Sequence, residues 1–310
     1  MRIAFASCMC TRVFENQPVW DWIARRQPDH LVLLGDSIYL DVTLDGVHPK
    51  DLSDNDFASR LFALYTELLA QPSFKALVDG MAPGRIWSIW DDHDFLWNDA
   101  NGAVIRKQPA QRDKIPLTTA FQEAFRKALA KSKPFPPAWN SADFWNHAQP
   151  LTTDSVELAP GLWLHLSDNR TMRENKGTAL GAEQRALFGQ RIQGQANAVH
   201  LFATGSTLAT MQQHYWDDFA WLTGLAANRR LLALTGDIHT NRAATFPTGG
   251  AFKLREATSS GAAVRQGVDV GPDRRNYGLL DIDDTDVTVS LFADDVRQPE
   301  WSSTFSRASW

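Results

Sequence analysis

Cysteine is nearly missing from this chain of 310 residues: Cys8 and Cys10 are the only two. A bridge between residues two apart would be strained, and one pair builds no disulfide framework, so a stapled secreted scaffold is excluded. Reduced thiols in a cytoplasmic protein are the simplest account, and as residues the pair reads also as two small buried hydrophobes. Tyrosine is scarce as well, with 4 against 12 tryptophans, so a tyrosine inside a motif carries information. There is no excess of basic residues; the formal net charge is −5. A general nucleic-acid face is therefore not expected, and any polyanion site has to be local. No apolar run approaches the ~20 residues of a membrane span. The opening stretch MRIAFASCMC holds one basic residue and a short apolar segment. That is too little for a secretory signal and reads as a first strand, which points to a cytoplasmic protein.

What is present is ordinary globular material, 44% hydrophobic and 22% charged. Short, nearly continuous apolar runs at Ile3–Ala6, Leu31–Leu34, Ile86–Trp90, Leu162–Leu166, Val199–Ala203 and Leu231–Leu234 predict strands buried on both faces. Amphipathic stripes between them predict helices over Phe57–Leu69, Thr118–Ala130 and Ala182–Ile192. Beyond Arg242 the pattern alternates without long helices, and Leu279–Ile282 with Val287–Phe292 predicts a closing C-terminal β-hairpin around DDTD. Neither an internal repeat nor a linker interrupts the chain, so residues 1–310 read as one α/β domain.

The chemistry collects at the ends of the predicted strands. Cys8, Asp36, the run Asp91–Asp94, Asp168 and Asp237 each follow an apolar run. In an α/β sheet, ligand groups gather outside the carboxyl ends of strands, where loops converge. The stretches LLGDSIYLD and LTGDIHTNR share a pattern, Gly then Asp, with Tyr39 or His239 a few residues on. A phenol of pKa ~10 binds a metal usefully when the ion is acidic enough to deprotonate it, as ferric iron is. In SIWDDHDF three carboxylates occupy four positions around His93, and either open water or bound cations must compensate them.

Taken in order, FASC, GDSIY, WDDHDF, SDNRTMR and GDIH resemble the signatures of the alkaline phosphatase D (PhoD-like) family, within the calcineurin-like metallophosphoesterase superfamily. The resemblance spans residues 5 to about 242. It implies a four-layer αββα sandwich with a dinuclear metal site at the strand ends, Fe³⁺ with Ca²⁺, or Zn²⁺ or Mn²⁺ as in other members of the superfamily. Carried over residue by residue, it makes Cys8, Asp36, Tyr39 and His239 ligands of the iron-like ion. Asp36 would bridge to a second ion held also by Asp92 and Asp237. The activity implied is phosphoric ester hydrolysis by a metal-held hydroxide attacking phosphorus in line, with His93 stabilising the phosphoryl oxygens or protonating the leaving group. Arg170 and Arg173 are candidate substrate clamps; a salt bridge to Asp168 or a charge at a helix start is the alternative for both.

Asp91 and Asp94 are expected to orient neighbours or cap the following turn. The chain departs from the family pattern at Asn169, where threonine is usual, and at Leu187, where tryptophan is usual. ATGS, residues 203–206, lacks the histidine the superfamily often places there, leaving water or Ser206. His30, His48, His147 and His165 lie away from the matched motifs; His30, His165 and His200 read as packed or surface residues, and His214 as part of a solvated helix face. Two alternatives remain open: a nuclease or phospholipase-like phosphodiesterase on the same site, and a metal-binding scaffold without activity.

Overall fold

Why each strand sits where it does can be read from which of its faces is apolar. The computed structural model describes residues 1–43, 45–139, 153–264 and 275–310; His147 lies outside them. The strands are β1 (Arg2–Ala6), β2 (His30–Leu34), β3 (Ile86–Ile89), β4 (Asp154–Ala159), β5 (Leu162–Leu166), β6 (Val199–Thr204), β7 (Arg230–Thr235), β8 (Asn241–Phe246), β9 (Leu254–Ser259), β10 (Asn276–Ile282), β11 (Asp286–Ala293) and β12 (Trp301–Ser306). They form two mixed sheets of six, ordered β12-β11-β10-β1-β2-β3 and β4-β5-β6-β7-β9-β8.

Alternation along the central strands sorts residues between layers. Ile3 and Phe5 of β1, Val32 and Leu34 of β2, Leu201 and Ala203 of β6 and Leu232 and Leu234 of β7 share one core, between the sheets. Their neighbours Ala4, Ala6, Leu31 and Leu33 turn the other way, onto the helices Val19–Arg25, Asp54–Ala70, Pro72–Gly80 and Lys114–Leu129. On the second sheet Phe202, Leu231 and Ala233 face Gly181–Gly194, Leu208–His214 and Trp216–Ala226. With helices outside each of two stacked sheets, the layers run αββα, as the resemblance implied. Strands buried on both faces are why those sequence runs are continuously apolar.

Local chemistry sets the helix ends. Ser53 accepts from the Asp56 N–H at 3.1 Å and starts Asp54–Ala70. Gln71 ends it and caps the next helix, accepting from Phe74 N–H at 2.6 Å, with Pro72 at the first helical position.

The six predicted strands and three predicted helices are present to within a few residues at each end, and β10 pairs with β11 as the closing hairpin. That hairpin continues into β12, which pairs antiparallel with β11. The sequence carries no clear sign of β12, because Trp-Ser-Ser-Thr-Phe-Ser at a sheet edge has no buried face to pattern.

Strands β1, β2 and β3 are mutually parallel, as are β5, β6, β7 and β9. Their carboxyl ends therefore open on one side. Gly35 closes the distance there: its φ is +92°, and a Cβ on it would lie 2.6 Å from the Asp91 backbone nitrogen. No other residue fits, so the ends of β2 and β3 meet only across a glycine.

Candidate metal centre

Backbone strain marks the site before any side chain is considered. Cys8 follows β1 with φ +61°, Asp36 follows β2 with φ +51°, and Asp237 and His239 follow β7 with φ +77° and +57°. Among the described residues eight non-glycine positions are left-handed, and these four are half of them. Each such residue costs roughly 1–3 kcal/mol, and such strain persists where the surrounding structure over-determines it.

The twisted turns aim four donors at one another. Cys8 Sγ lies 3.3 Å from Asp36 Oδ2, and Tyr39 OH lies 3.3 Å from His239 Nε2. Ligand atoms of Cys8, Asp36 and His239 all fall within 4.8 Å of one another. Ligands bonded at ~2.0–2.3 Å to a common ion stand about 3–3.8 Å apart, so these separations suit a coordination sphere. Thiolate, phenolate, carboxylate and imidazole together favour a transition metal over Mg²⁺ or Ca²⁺.

Electrostatics point the same way. Burial raises the Cys8 thiol well above its usual pKa, and Asp36 adds to that. Burial does the same to the Tyr39 phenol, reinforced by Cys8 and Asp36. Asp36 is itself pushed up by burial and then by Asp92. Burial, with Asp91 and Asp92, takes Asp237 up to about 7. The protein gathers more acidic groups than its own cations neutralise, which is what a resident metal ion would relieve.

A second group of carboxylates adjoins the first. Ligand oxygens of Asp91, Asp92 and Asp237 lie within 4.8 Å of one another, and Asp36 forms a like group with Asp92 and His93. Asp92 is taken down to about 2: burial opposes its charge, and Arg170 and His93 overcome burial. His93 Nδ1 meets Asp41 Oδ1 at 2.6 Å, while Asp41 Oδ2 accepts from Asn98 N–H at 2.8 Å. Burial works against the imidazolium, but Asp36, the Asp41 hydrogen bond and Asp92 lift His93 to about 10. The His93 ring stacks on Tyr39 with centroids 4.2 Å apart. Asp94 accepts from the backbone N–H groups of Asp91 (2.6 Å) and Ser37 (3.0 Å), the orienting task expected of it.

Both arginines are buried. Arg170 donates from Nε to Asp91 Oδ1 at 2.5 Å, and its Nη2 sits 3.4 Å from Asp92 Oδ1. Arg173 donates to the Asn169 carbonyl at 2.9 Å and to Ser206 Oγ, and its guanidinium lies 4.8 Å from the centre of the Tyr215 ring. Among the described residues Arg173 has no carboxylate in ion-pair range, and burial followed by the Arg170 charge lowers its pKa. Asp168 is not the salt-bridge partner of either arginine side chain. It receives Trp90 Nε1 (2.9 Å) and the N–H groups of Arg170 and Thr171.

The structure thus brings together Cys8, Asp36, Tyr39, Asp92, Asp237, His239, His93, Arg170 and Arg173. It adds three residues the sequence reading did not assign to the site: Asp41, which orients His93, Asn169, which donates to Asp91 Oδ1 at 2.7 Å, and Asp91 itself as the anchor of Arg170. Asp41 stands two residues beyond Tyr39 in GDSIYLD, so that motif extends one carboxylate further. Ser206 commits its hydroxyl to Arg173. His30, His165 and His200 are buried in strands, and His214 is exposed on its helix.

No protein-family model matches this chain, and no curated protein matches it. Among solved structures it aligns with a conserved uncharacterized protein, a predicted phosphoesterase, of Streptococcus pneumoniae TIGR4 (TM-score 0.37, 11% identity, 98% of this chain and 97% of that one). It aligns also with YfcE, a phosphoesterase from E. coli (0.36, 12%, 98% of each). A third is Vps29 of Entamoeba histolytica, solved with Zn²⁺ (0.36, 10%, 99% of each). Likeness at this level assigns no activity to the chain.

Proposed function

We propose that this protein is a metal-dependent phosphoric ester hydrolase. The observation that carries the reading is the convergence of Cys8, Asp36, Tyr39 and His239 from three strand ends, most of them on left-handed backbone, beside two buried arginines. Carboxylates alone would bind a cation; buried guanidinium groups beside them call for an anionic substrate as well.

Cys8, Asp36, Tyr39 and His239 would hold the ion, and this donor set suits Fe³⁺, with Zn²⁺ or Mn²⁺ as alternatives. The resemblance adds a second ion, Ca²⁺, on Asp36, Asp92 and Asp237. A bound ion supplies Lewis acidity toward a phosphoryl oxygen and lowers the pKa of water from ~16 toward ~7. Arg173, with no carboxylate in ion-pair range among the described residues, receives the phosphoryl oxygens. His93, held by Asp41, is the proton donor to the departing oxygen, and the Asp41 bond fixes which ring nitrogen faces the substrate. Residues 1–310 act in this reading as one catalytic unit. Among the described residues no helix is long and apolar enough to cross a membrane.

The test compares hydrolysis of p-nitrophenyl phosphate and bis-p-nitrophenyl phosphate by metal-loaded protein, chelator-stripped protein and Asp36→Asn. Turnover that needs metal and falls by at least ~10³-fold in Asp36→Asn supports the reading. A marked preference for the diester assigns the phosphodiesterase form. Metal binding with no turnover of either ester would leave a scaffold and sink the proposal.

A further inference from the structure

We infer that Arg170 takes the place of a second metal ion, so that the chain binds one ion, on Cys8, Asp36, Tyr39 and His239; this rests on the metal-dependent reading above. The guanidinium is 1% exposed and already engages the carboxylates in question, at 2.5 Å from Asp91 Oδ1 and 3.4 Å from Asp92 Oδ1. Other N–H groups take Asp91 Oδ1 and Asp92 Oδ2, so that among the described residues Asp92 Oδ1 faces only the guanidinium and Asp91 Oδ2 has no hydrogen-bond partner. Asn169 Nδ2 donates to Asp91 Oδ1 at 2.7 Å, and the Asp99 N–H to Asp92 Oδ2 at 2.6 Å.

Arg170 is also fixed in place and is not a side chain that a divalent ion could push aside. Its N–H donates to Asp168 Oδ1 at 3.1 Å, and its carbonyl accepts from Gly102 N–H at 3.0 Å. A Cβ on Gly102 would lie 2.6 Å from that carbonyl oxygen, so the two segments are pressed together. Guanidinium does not lose its proton at any working pH, so the positive charge is permanent. A second ion sharing Asp92 with Asp36 and Asp237 would have to sit beside it.

Beyond β6, neither Gly205 nor Ser206 offers a free neutral ligand to offset that repulsion. Ser206 accepts from Arg173. Gly205 is packed so closely that a Cβ there would lie 2.3 Å from Asp91 Cγ, leaving no room for a nitrogen ligand at that position. Arg170 supplies one positive charge to these two buried carboxylates.

One donor is left over. Among the described residues, Arg170 Nη1 is buried with no hydrogen-bond partner. A buried N–H of a charged group is costly to leave unmade, and a phosphoryl oxygen is the acceptor the proposed reaction brings. Arg170 therefore compensates Asp91 and Asp92 on one side and presents one N–H to the substrate on the other.

The experiment counts ions. Full-length protein is stripped with chelator, dialysed, loaded with Mn²⁺ or, separately, Zn²⁺, and its metal content measured by elemental analysis. The expected count is one per chain in the unaltered protein, one in Asp237→Asn and none in His239→Ala. Arg170→Met, uncharged and long enough to fill the space, should raise the count from one to two. Two ions in the unaltered protein would overturn this inference and leave the hydrolase reading intact. No ion at all would overturn that reading too. A folded Arg170→Met that stays at one ion overturns the exclusion. Should that variant fail to fold, Asp237→Asn decides: a count that falls to zero, or from two to one, refutes the assignment.

Discussion

At the scale of single residues, the site is organised as much by what its side chains are tied to as by what they are. His93 is held through Nδ1 by Asp41, and Asp41 is held in turn by the Asn98 N–H, so the imidazole has one orientation. Asp41→Asn keeps the size and can still meet the ring, but removes the charge that steadies an imidazolium. We expect kcat to fall by about 10- to 100-fold with KM nearly unchanged, which steady-state kinetics on a monoester will show. A rise in KM alone would mean that Asp41 shapes substrate binding instead. Gly205 gives a second prediction of a steric kind. Its missing Cβ would overlap the Asp91 carboxylate at 2.3 Å and approach Asn169 Nδ2 at 2.8 Å. Gly205→Ala should therefore cost about 1–3 kcal/mol and lower the melting temperature by a few degrees. An alanine variant that melts unchanged would show that Asp91 can move.

At the scale of elements, β5 and β6 carry a buried polar wire inside an otherwise apolar layer. His200 Nε2 contacts the Gln195 carbonyl at 3.1 Å and so carries a proton there. Its Nδ1 then accepts from His165 Nε2 at 3.0 Å, and His165 Nδ1 accepts from Ser155 Oγ at 2.9 Å. Every ring nitrogen is spoken for with both rings neutral. Burial takes His165 down to about 3, helped by the charge of His200, and takes His200 down to about 4. The sign follows. Between pH ~6.5 and these values the unfolded chain binds protons that the fold refuses, so stability is full above ~6.5 and is lost as pH falls. Each imidazole should cost about 2 kcal/mol by pH 5. Urea midpoints at pH 7 and pH 5 will check this, and His165→Asn/His200→Asn should flatten the difference. Legibility divides at this scale too. Central strands such as β2 and β7 are apolar on both faces and stand out in the sequence. The edge strands β4, β8 and β12 are half exposed and do not. The grouping of Cys8, Asp36, Tyr39 and His239 is legible because each lies within a few residues of the end of a buried run. The pairing of Arg170 with Asp91 was not. The two lie 79 positions apart, while Asp168, two positions from Arg170, looked like the natural partner until packing gave it to Trp90 and the backbone.

At the scale of the whole molecule, two stacked sheets bring their strand ends to one rim, and the acidic groups gathered there oppose folding. Asp36 shows the conflict most clearly. It is buried between Cys8 and the His93 N–H, and both burial and Asp92 penalise its charge. A carboxyl whose pKa rises on folding destabilises the fold at any pH above its ordinary value, because the unfolded chain ionises it freely. Asparagine in its place can still accept from His93 N–H and has no charge to desolvate. Asp36→Asn should therefore be at least as stable as the unaltered protein when both are metal-free, with a gain of about 1–2 kcal/mol. Metal reverses the order. A ligand that binds only the folded state at 100 times its Kd stabilises by about 2.7 kcal/mol, and the unaltered protein should gain this on loading. Asp36→Asn should gain little. Thermal melts of both proteins, stripped and loaded, give four numbers whose pattern is the test. If stripped Asp36→Asn melts well below the stripped parent, the carboxylate is contributing to the fold itself. The acidic rim would then be architecture, and the balance between folding and function argued from it would be wrong.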